Sequence, residues 1–270
     1  MARAGRPGGM SGARYGARAI AAIAFACTAT LAAAQPSPPD RLDVGPFSRA
    51  APGGPLPEGW APLTFRRIAR HTRYALVRDA DRGTVVEAIA EASASGLVRK
   101  LDAEPKAWPM LSWSWKIERP VAKGDVTRKS GDDYAARVYV TFRVPPERLS
   151  PFERMRRAAA SSLFGDDVPD AGLVYLWDAR SPVGTIVPNA YTDRVRMIVV
   201  ESGSERAGRW LAYERDVAAD YRAAFGEDAP PLSGVAIMTD TDDTGESLRA
   251  WYGDIALARA PAAAKPAPAP

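Results

Sequence analysis

Apolar and polar residues alternate along most of the chain from residue 42 to 258, the period of a strand that keeps one face in a core. In Leu111-Ser112-Trp113-Ser114-Trp115-Lys116-Ile117 the large apolar side chains take every odd position, and Ser112, Ser114 and Lys116 face the other way. Between 134 and 142, Tyr134, Ala136, Val138, Val140 and Phe142 share one face, with Arg137, Tyr139 and Thr141 opposite. The same spacing predicts strands at 74–78, 84–90, 96–101, 172–177, 195–201, 210–215, 234–239 and 248–257. Many short strands with turn residues between them predict a mainly all-β fold, an antiparallel, jelly-roll-like β-sandwich, rather than βαβ units.

Two short peripheral helices interrupt the pattern. Ser150-Pro151-Phe152-Glu153 is a capping-box start, in which Ser150 and Glu153 satisfy each other's backbone amides and Pro151 fits the first turn. That helix is expected to run to about Leu163 and stop at Gly165. A second follows Asp216, from about Val217 to Phe225, and stops at Gly226.

The ends of the chain read differently. Arg3, Arg6, Arg14 and Arg18 precede an uncharged run, 19–34, that ends in small residues. This is the pattern of a secretory signal, 1–34, cleaved near Ala34. The run is too short and Ala-rich for a comfortable membrane span, which takes about 20 apolar residues. A Pro-rich linker, 35–41, leads into the folded domain, 42–258, and an Ala/Pro tail, 259–270, is expected to be disordered. The mature protein is expected in the periplasm or secreted, with no integral membrane segment. Cys27, the single cysteine, lies inside the leader, where discard is favoured over lipid attachment because Phe25 is bulky for a lipoprotein signal.

Composition changes meaning once the leader is set aside. Without its four arginines, 32 basic residues face 32 acidic ones, so the basic character belongs to the leader. Nucleic-acid binding, which needs a concentrated basic face, loses its support. One histidine, His71, and no mature cysteine exclude a zinc site built from those ligands. No Gly-x-Ser-x-Gly elbow, phosphate loop or dinucleotide fingerprint occurs.

Carboxylates, arginines and aromatics remain. Asp240-Thr241-Asp242-Asp243-Thr244-Gly245-Glu246 places oxygen ligands as the opening of a calcium loop does, but Trp251 stands where the bidentate Glu belongs. Two readings stay open: a polar hairpin, favoured by the turn-forming composition, or a structural Ca²⁺ site of Asp240, Asp242, Asp243 and Asp254. Asp132-Asp133 reads as a turn that could also hold a ligand or a metal. Arg137 and Tyr139 lie opposite the apolar face of their strand, Arg196 shares a face with Ile198 and Val200, and Glu214 lies beside aromatic positions. Aromatic rings stack on sugar faces while charged groups bond hydroxyls, so Arg137, Tyr139, Arg196 and Glu214 form the expected binding face, with Trp177 as stacking platform. A structural ion-pair layer is the competing reading of the same residues.

Five stretches taken together resemble an uncharacterised family of exported bacterial proteins, one of the domain-of-unknown-function families. They are Leu111-Ser112-Trp113-Ser114-Trp115-Lys116, Gly131-Asp132-Asp133-Tyr134-Ala135-Ala136-Arg137-Val138-Tyr139-Val140, Glu214-Arg215-Asp216-Val217, Asp220-Tyr221, and Ile237 through Gly245. The resemblance implies export and a single domain, and it carries no activity. The closing Trp251-Tyr252-Gly253-Asp254-Ile255 is similar to the last strand of galactose-binding-like jelly rolls such as carbohydrate-binding modules, which implies a sandwich with a concave face. Fold alone does not give function. The favoured expectation is an exported binding domain without catalytic residues, for a glycan or other cell-envelope saccharide. The alternatives are a glycoside hydrolase or lyase using Asp133, Glu214 and Asp240, and a structural envelope protein that binds another protein.

Overall fold

The computed structural model describes residues 40–164 and 170–260; the expected leader, the expected stop of the first helix at Gly165 and the end of the expected tail lie outside the described residues. Its strands are β1 (Arg41–Gly45), β2 (Trp60–Leu63), β3 (Arg73–Asp79), β4 (Gly83–Glu91), β5 (Ala94–Ala103), β6 (Met110–Ile117), β7 (Arg137–Phe142), β8 (Ala171–Asp178), β9 (Ile186–Asn189), β10 (Thr192–Ser202), β11 (Leu211–Asp216), β12 (Leu232–Asp240), β13 (Ser247–Tyr252) and β14 (Ile255–Ala258). Helix α1 (Pro151–Phe164) follows β7, and α2 (Val217–Phe225) follows β11.

The strands form two seven-stranded sheets packed face to face. In the first, β6 is central: Trp115 pairs with Leu211 on one side and with Tyr252 on the other, and β1, β4 and β3 extend the sheet beyond β13 and β14. The second runs β2-β5-β12-β7-β8-β10-β9. Its β8–β10 pair is parallel, an exception in an otherwise antiparallel sandwich.

Between the sheets lies one large core, to which the alternating faces of β6, β7, β8 and β12 all contribute. Trp113 stacks on Tyr175 with centroids 5.0 Å apart and on Tyr213 at 5.3 Å, while Trp115 meets Trp177 at 6.5 Å. An aromatic that buries ~200 Å² contributes up to about 5 kcal/mol at ~25 cal/mol per Å², an upper bound because the unfolded chain is itself partly collapsed.

Local signals act as expected at the helices. Ser150 and Glu153 bond each other's amides at the start of α1. Asp216 accepts from the Ala219 amide at 2.9 Å to cap α2, and Gly226 closes it in the left-handed region (φ 77°). Two expected strands differ. The stretch 248–257 divides into β13 and β14 because Gly253 packs against Ser114, where a Cβ would collide with Oγ, and Asp254 turns to accept from the Ser48 amide and hydroxyl. The strand expected from residue 134 begins only at Arg137. Tyr134 there donates its amide to the Asp240 carboxylate and its carbonyl accepts from the Asp240 amide, so residues 132–136 fold as a loop. Three edge strands lack a clear alternating signal: β1, β2 (which contains Pro62) and β9 (which contains Pro188).

Candidate functional site

The outer face of the second sheet carries the site. Alternation turns Val138, Val140 and Phe142 inward, so Arg137, Tyr139 and Thr141 point out; Gly234, Ala236, Met238 and Asp240 of β12 and Gly172, Val174 and Leu176 of β8 join them. Over part of this face the chain covers itself: Val126 and Tyr134 pack on Val174, Leu176, Met197 and Val199 as a second apolar cluster. As a result every position of β8 is buried, which one-sided alternation does not anticipate.

Beside that cover the face stays open as a groove of about 620 Å³. Its floor combines Tyr139 and Met238 with the small residues Gly172, Gly234 and Ala236. Phe65, exposed, and Leu63 form one wall. At the opposite end Asp170 accepts from the Val144 amide at 2.9 Å and pairs with Arg157 at 2.8 Å, next to the exposed Arg143. Apolar surface lined at its rim by fixed polar groups is the usual make-up of a ligand site, and the volume lies within the ordinary range of roughly 300–1,000 Å³.

At the covered end of the same face charge is concentrated. Arg137, only 3% exposed, is ion-paired with Asp240 and lies 3.5 Å from Asp132. Its guanidinium sits 4.9 Å from the Tyr134 ring centre and 5.6 Å from that of Tyr139, and it donates to the Met238 sulfur at 3.5 Å. Arg137 therefore joins the acidic cluster to the groove floor. Taking an arginine out of water is offset only where its partners are well placed, and removing it would leave carboxylates buried without compensation.

These acids outnumber the cation. Besides Asp240 and Asp132, the fully buried Asp133 and the half-buried Asp242 lie close by, with Asp243 hydrogen-bonded by the Tyr191 hydroxyl at 3.4 Å. Burial holds the Asp132 carboxyl above its ordinary value against the pull of Arg137. Burial and the neighbouring Asp133 charge push Asp242 up to about 6 and raise Asp243 as well.

The residues singled out from the alternation fall in several places. Arg137 and Tyr139 belong to the site. Trp177 does not: it is 1% exposed in the inter-sheet core and donates to the Gly203 carbonyl, so it offers no stacking platform. Arg196 lies toward α2, donating to the Ala224 and Asp193 carbonyls with its guanidinium 4.8 Å from the Phe225 ring centre. Glu214 is exposed on β11 of the first sheet, opposite Ser112. Of the four acids considered as calcium ligands, Asp240, Asp242 and Asp243 are near one another, but Asp254 is held by Ser48. Nor do the proposed catalytic acids face each other across a groove: Asp240 is paired with Arg137, Asp133 is buried beside it, and Glu214 is on the other sheet.

Several residues of the site were not visible beforehand. Phe65 precedes no patterned strand, and Met238 reads as one more apolar position of β12. Asp132 and Asp133, by contrast, read as a turn that could also hold a ligand or a metal. The Asp-Asp pair was the available signal, since two acids directly before an outward-facing arginine make a natural partner set for it.

Among the described residues no helix is long and apolar enough to cross a membrane. The chain is similar to solved structures at low identity. One is the family 11 carbohydrate-binding module of the cellulosomal cellulase Lic26A-Cel5E of Clostridium thermocellum, with 12% identity, TM-score 0.43, and 85% of this chain and 100% of that one covered. Another is the family 30 module of Cel9D-Cel44B of the same organism, with 9% identity, TM-score 0.37, and 81% and 98% covered. A third is the K3 cleaved adhesin domain of Lys-gingipain from Porphyromonas gingivalis, with 10% identity, TM-score 0.35, and 81% and 98% covered. Likeness at this level says nothing about what this chain binds. No curated protein sequence matches it. Residues 58–256, most of the sandwich, match a family described as a protein of unknown function, and the chain belongs to that family, DUF3047.

Proposed function

We propose that this protein is an exported, non-catalytic binding domain whose ligand is a saccharide of the cell envelope or its surroundings, held in the groove on the outer face of the second sheet. The observation that carries the proposal is the groove itself: a tyrosine ring and a thioether on its floor, an exposed phenylalanine on its wall, and arginine, aspartate and hydroxyl groups at its margins. Sugars present apolar C–H faces that pack on rings and hydroxyl groups that bond charged and polar side chains. Gly172, Gly234 and Ala236 keep the floor low, so a flat ligand can approach the sheet. A location outside the cytoplasm follows from the leader pattern of residues 1–34, and the mature chain is expected to begin at Gln35, as intact-mass measurement of the exported protein would report.

Calorimetric titration against a panel of soluble envelope and plant oligosaccharides tests the binding reading. At least one class should bind, and Tyr139→Ala and Phe65→Ala should each weaken it by about tenfold or more, since one ring–ligand contact is worth ~1–2 kcal/mol. Unchanged folding in both variants, by circular dichroism, is part of that expectation. A panel without a binder, or a binder indifferent to both substitutions, would remove the groove from consideration.

A further inference from the structure

The loop 132–136 meets the turn after β12 in a surplus of buried negative charge. One carboxylate oxygen from each of Asp133, Asp240 and Asp242 lies within 4.8 Å of the others. Asp133 is wholly buried, Asp240 is 2% exposed, and Arg137 is the buried cation that meets the group among the described residues. Its ion pairs go to Asp240 and Asp132, and among the described residues no ion pair reaches Asp133 or Asp242.

An independent observation points into the same spot. Asp133 Oδ2 accepts from the Thr244 amide at 2.6 Å, while Asp133 Oδ1 and the buried Thr244 hydroxyl oxygen have no hydrogen-bond partner among the described residues. Buried oxygens without a donor are costly, more so when charged. Here two of them adjoin a cluster of carboxylates, which is the make-up of a cation's oxygen shell.

We propose that Asp133, Asp240 and Asp242 bind a divalent cation, Ca²⁺, with the Thr244 hydroxyl beside them. All the donors are hard oxygens, which suit Ca²⁺ or Mg²⁺ and not a thiolate- or imidazole-seeking metal. The donor set separates the two: Ca²⁺ takes several carboxylates in flexible geometry, whereas Mg²⁺ demands a near-ideal octahedron and usually keeps several waters beside one or two carboxylates. The ion would tie the 132–136 loop to the β12–β13 turn and settle the charge around Arg137. The inference is independent of the groove's ligand.

The full chain, stripped with a chelator, is titrated with CaCl₂ and with MgCl₂ by calorimetry, and its melting temperature is followed by circular dichroism. One equivalent of Ca²⁺ should bind and raise the melting temperature, with Mg²⁺ markedly weaker. Asp133→Asn and Asp242→Asn should each lower Ca²⁺ affinity at least about tenfold, the scale seen when support of a metal site is removed. Asp254→Asn, at the aspartate held by Ser48, should leave the affinity unchanged. If Asp133→Asn does not fold, the half-buried Asp242 decides the matter. No Ca²⁺ binding by the parent chain, equal affinity for the two metals, or full affinity in Asp242→Asn would overturn the site.

Discussion

Each sheet carries a cation on its outer face, set between two aromatic rings, and the two are built for different ends. On the first sheet Lys116 lies 5.0 Å from the Trp210 ring centre and 4.8 Å from that of Trp251, and pairs with Asp79 at 2.7 Å. Asp79 also accepts from the Trp210 indole at 3.0 Å and from the Asp81 amide, so one positive and one negative group are satisfied within a closed set of partners. On the second sheet Arg137 stands between Tyr134 and Tyr139 and faces an excess of acids, with unpartnered oxygens beside it and a groove adjoining. The comparison teaches that a charge held between rings is not by itself a functional sign. What distinguishes the second sheet is charge left uncompensated next to open space.

The largest effect that separates the two is expected at Arg137. Replacing it in Arg137→Met keeps the volume and removes the charge, leaving Asp240 and Asp132 buried without it. Urea denaturation should show a loss of about 3–5 kcal/mol at neutral pH. A loss below 1 kcal/mol would mean that the acids are neutralised without Arg137. Lys116→Met is expected to cost less, about 1–3 kcal/mol, because Asp79 keeps its amide and indole donors. It should also leave saccharide and Ca²⁺ titrations as they were; an altered titration would erase the distinction between the sheets.

The smallest expected effect is a pH dependence of the first pair. Burial alone would raise the Asp79 carboxyl, but Lys116 with the Asp81 amide and the Trp210 indole hold it below the ordinary 3.8. A depressed folded value means that the pair's contribution is fully present above the unfolded value and fades as pH falls through the folded one. The stability gap between the parent chain and Asp79→Asn should therefore be widest near pH 7 and shrink below about pH 4, in melting curves taken across that range. A gap constant down to pH 3 would show that the charge of Asp79 contributes nothing.

Legibility in the chain followed the range of the forces involved. Helix α2 was readable to the residue, because Asp216 caps it through an amide three positions on and Gly226 ends it by its own backbone freedom. β6 was readable because two tryptophans and their serine neighbours announce opposite faces, and Lys116 indeed lies opposite the core. The start of β7 was not, since the Asp240 carboxylate, 106 positions away, takes the Tyr134 amide. For the same reason the stretch 248–257 gave no sign of its break at Gly253, which depends on Ser114 of another strand.

The site shows the same division. Alternation alone established that Arg137 and Tyr139 share a face opposite Val138 and Val140, that the domain is mostly β, and that Asp240 to Asp243 crowd acids into one turn. Period two defines relative facing and nothing further, so it could not say that the face of Trp177 is the core and that of Tyr139 the groove. That choice was made by the first sheet, which covers one side of the second and leaves the other open. Nor could spacing along the chain bring Asp133 to Asp240 and Asp242, or take Asp254 away to Ser48. Those neighbours are chosen by which strands pair, and strand pairing is settled by burying all the apolar faces at once.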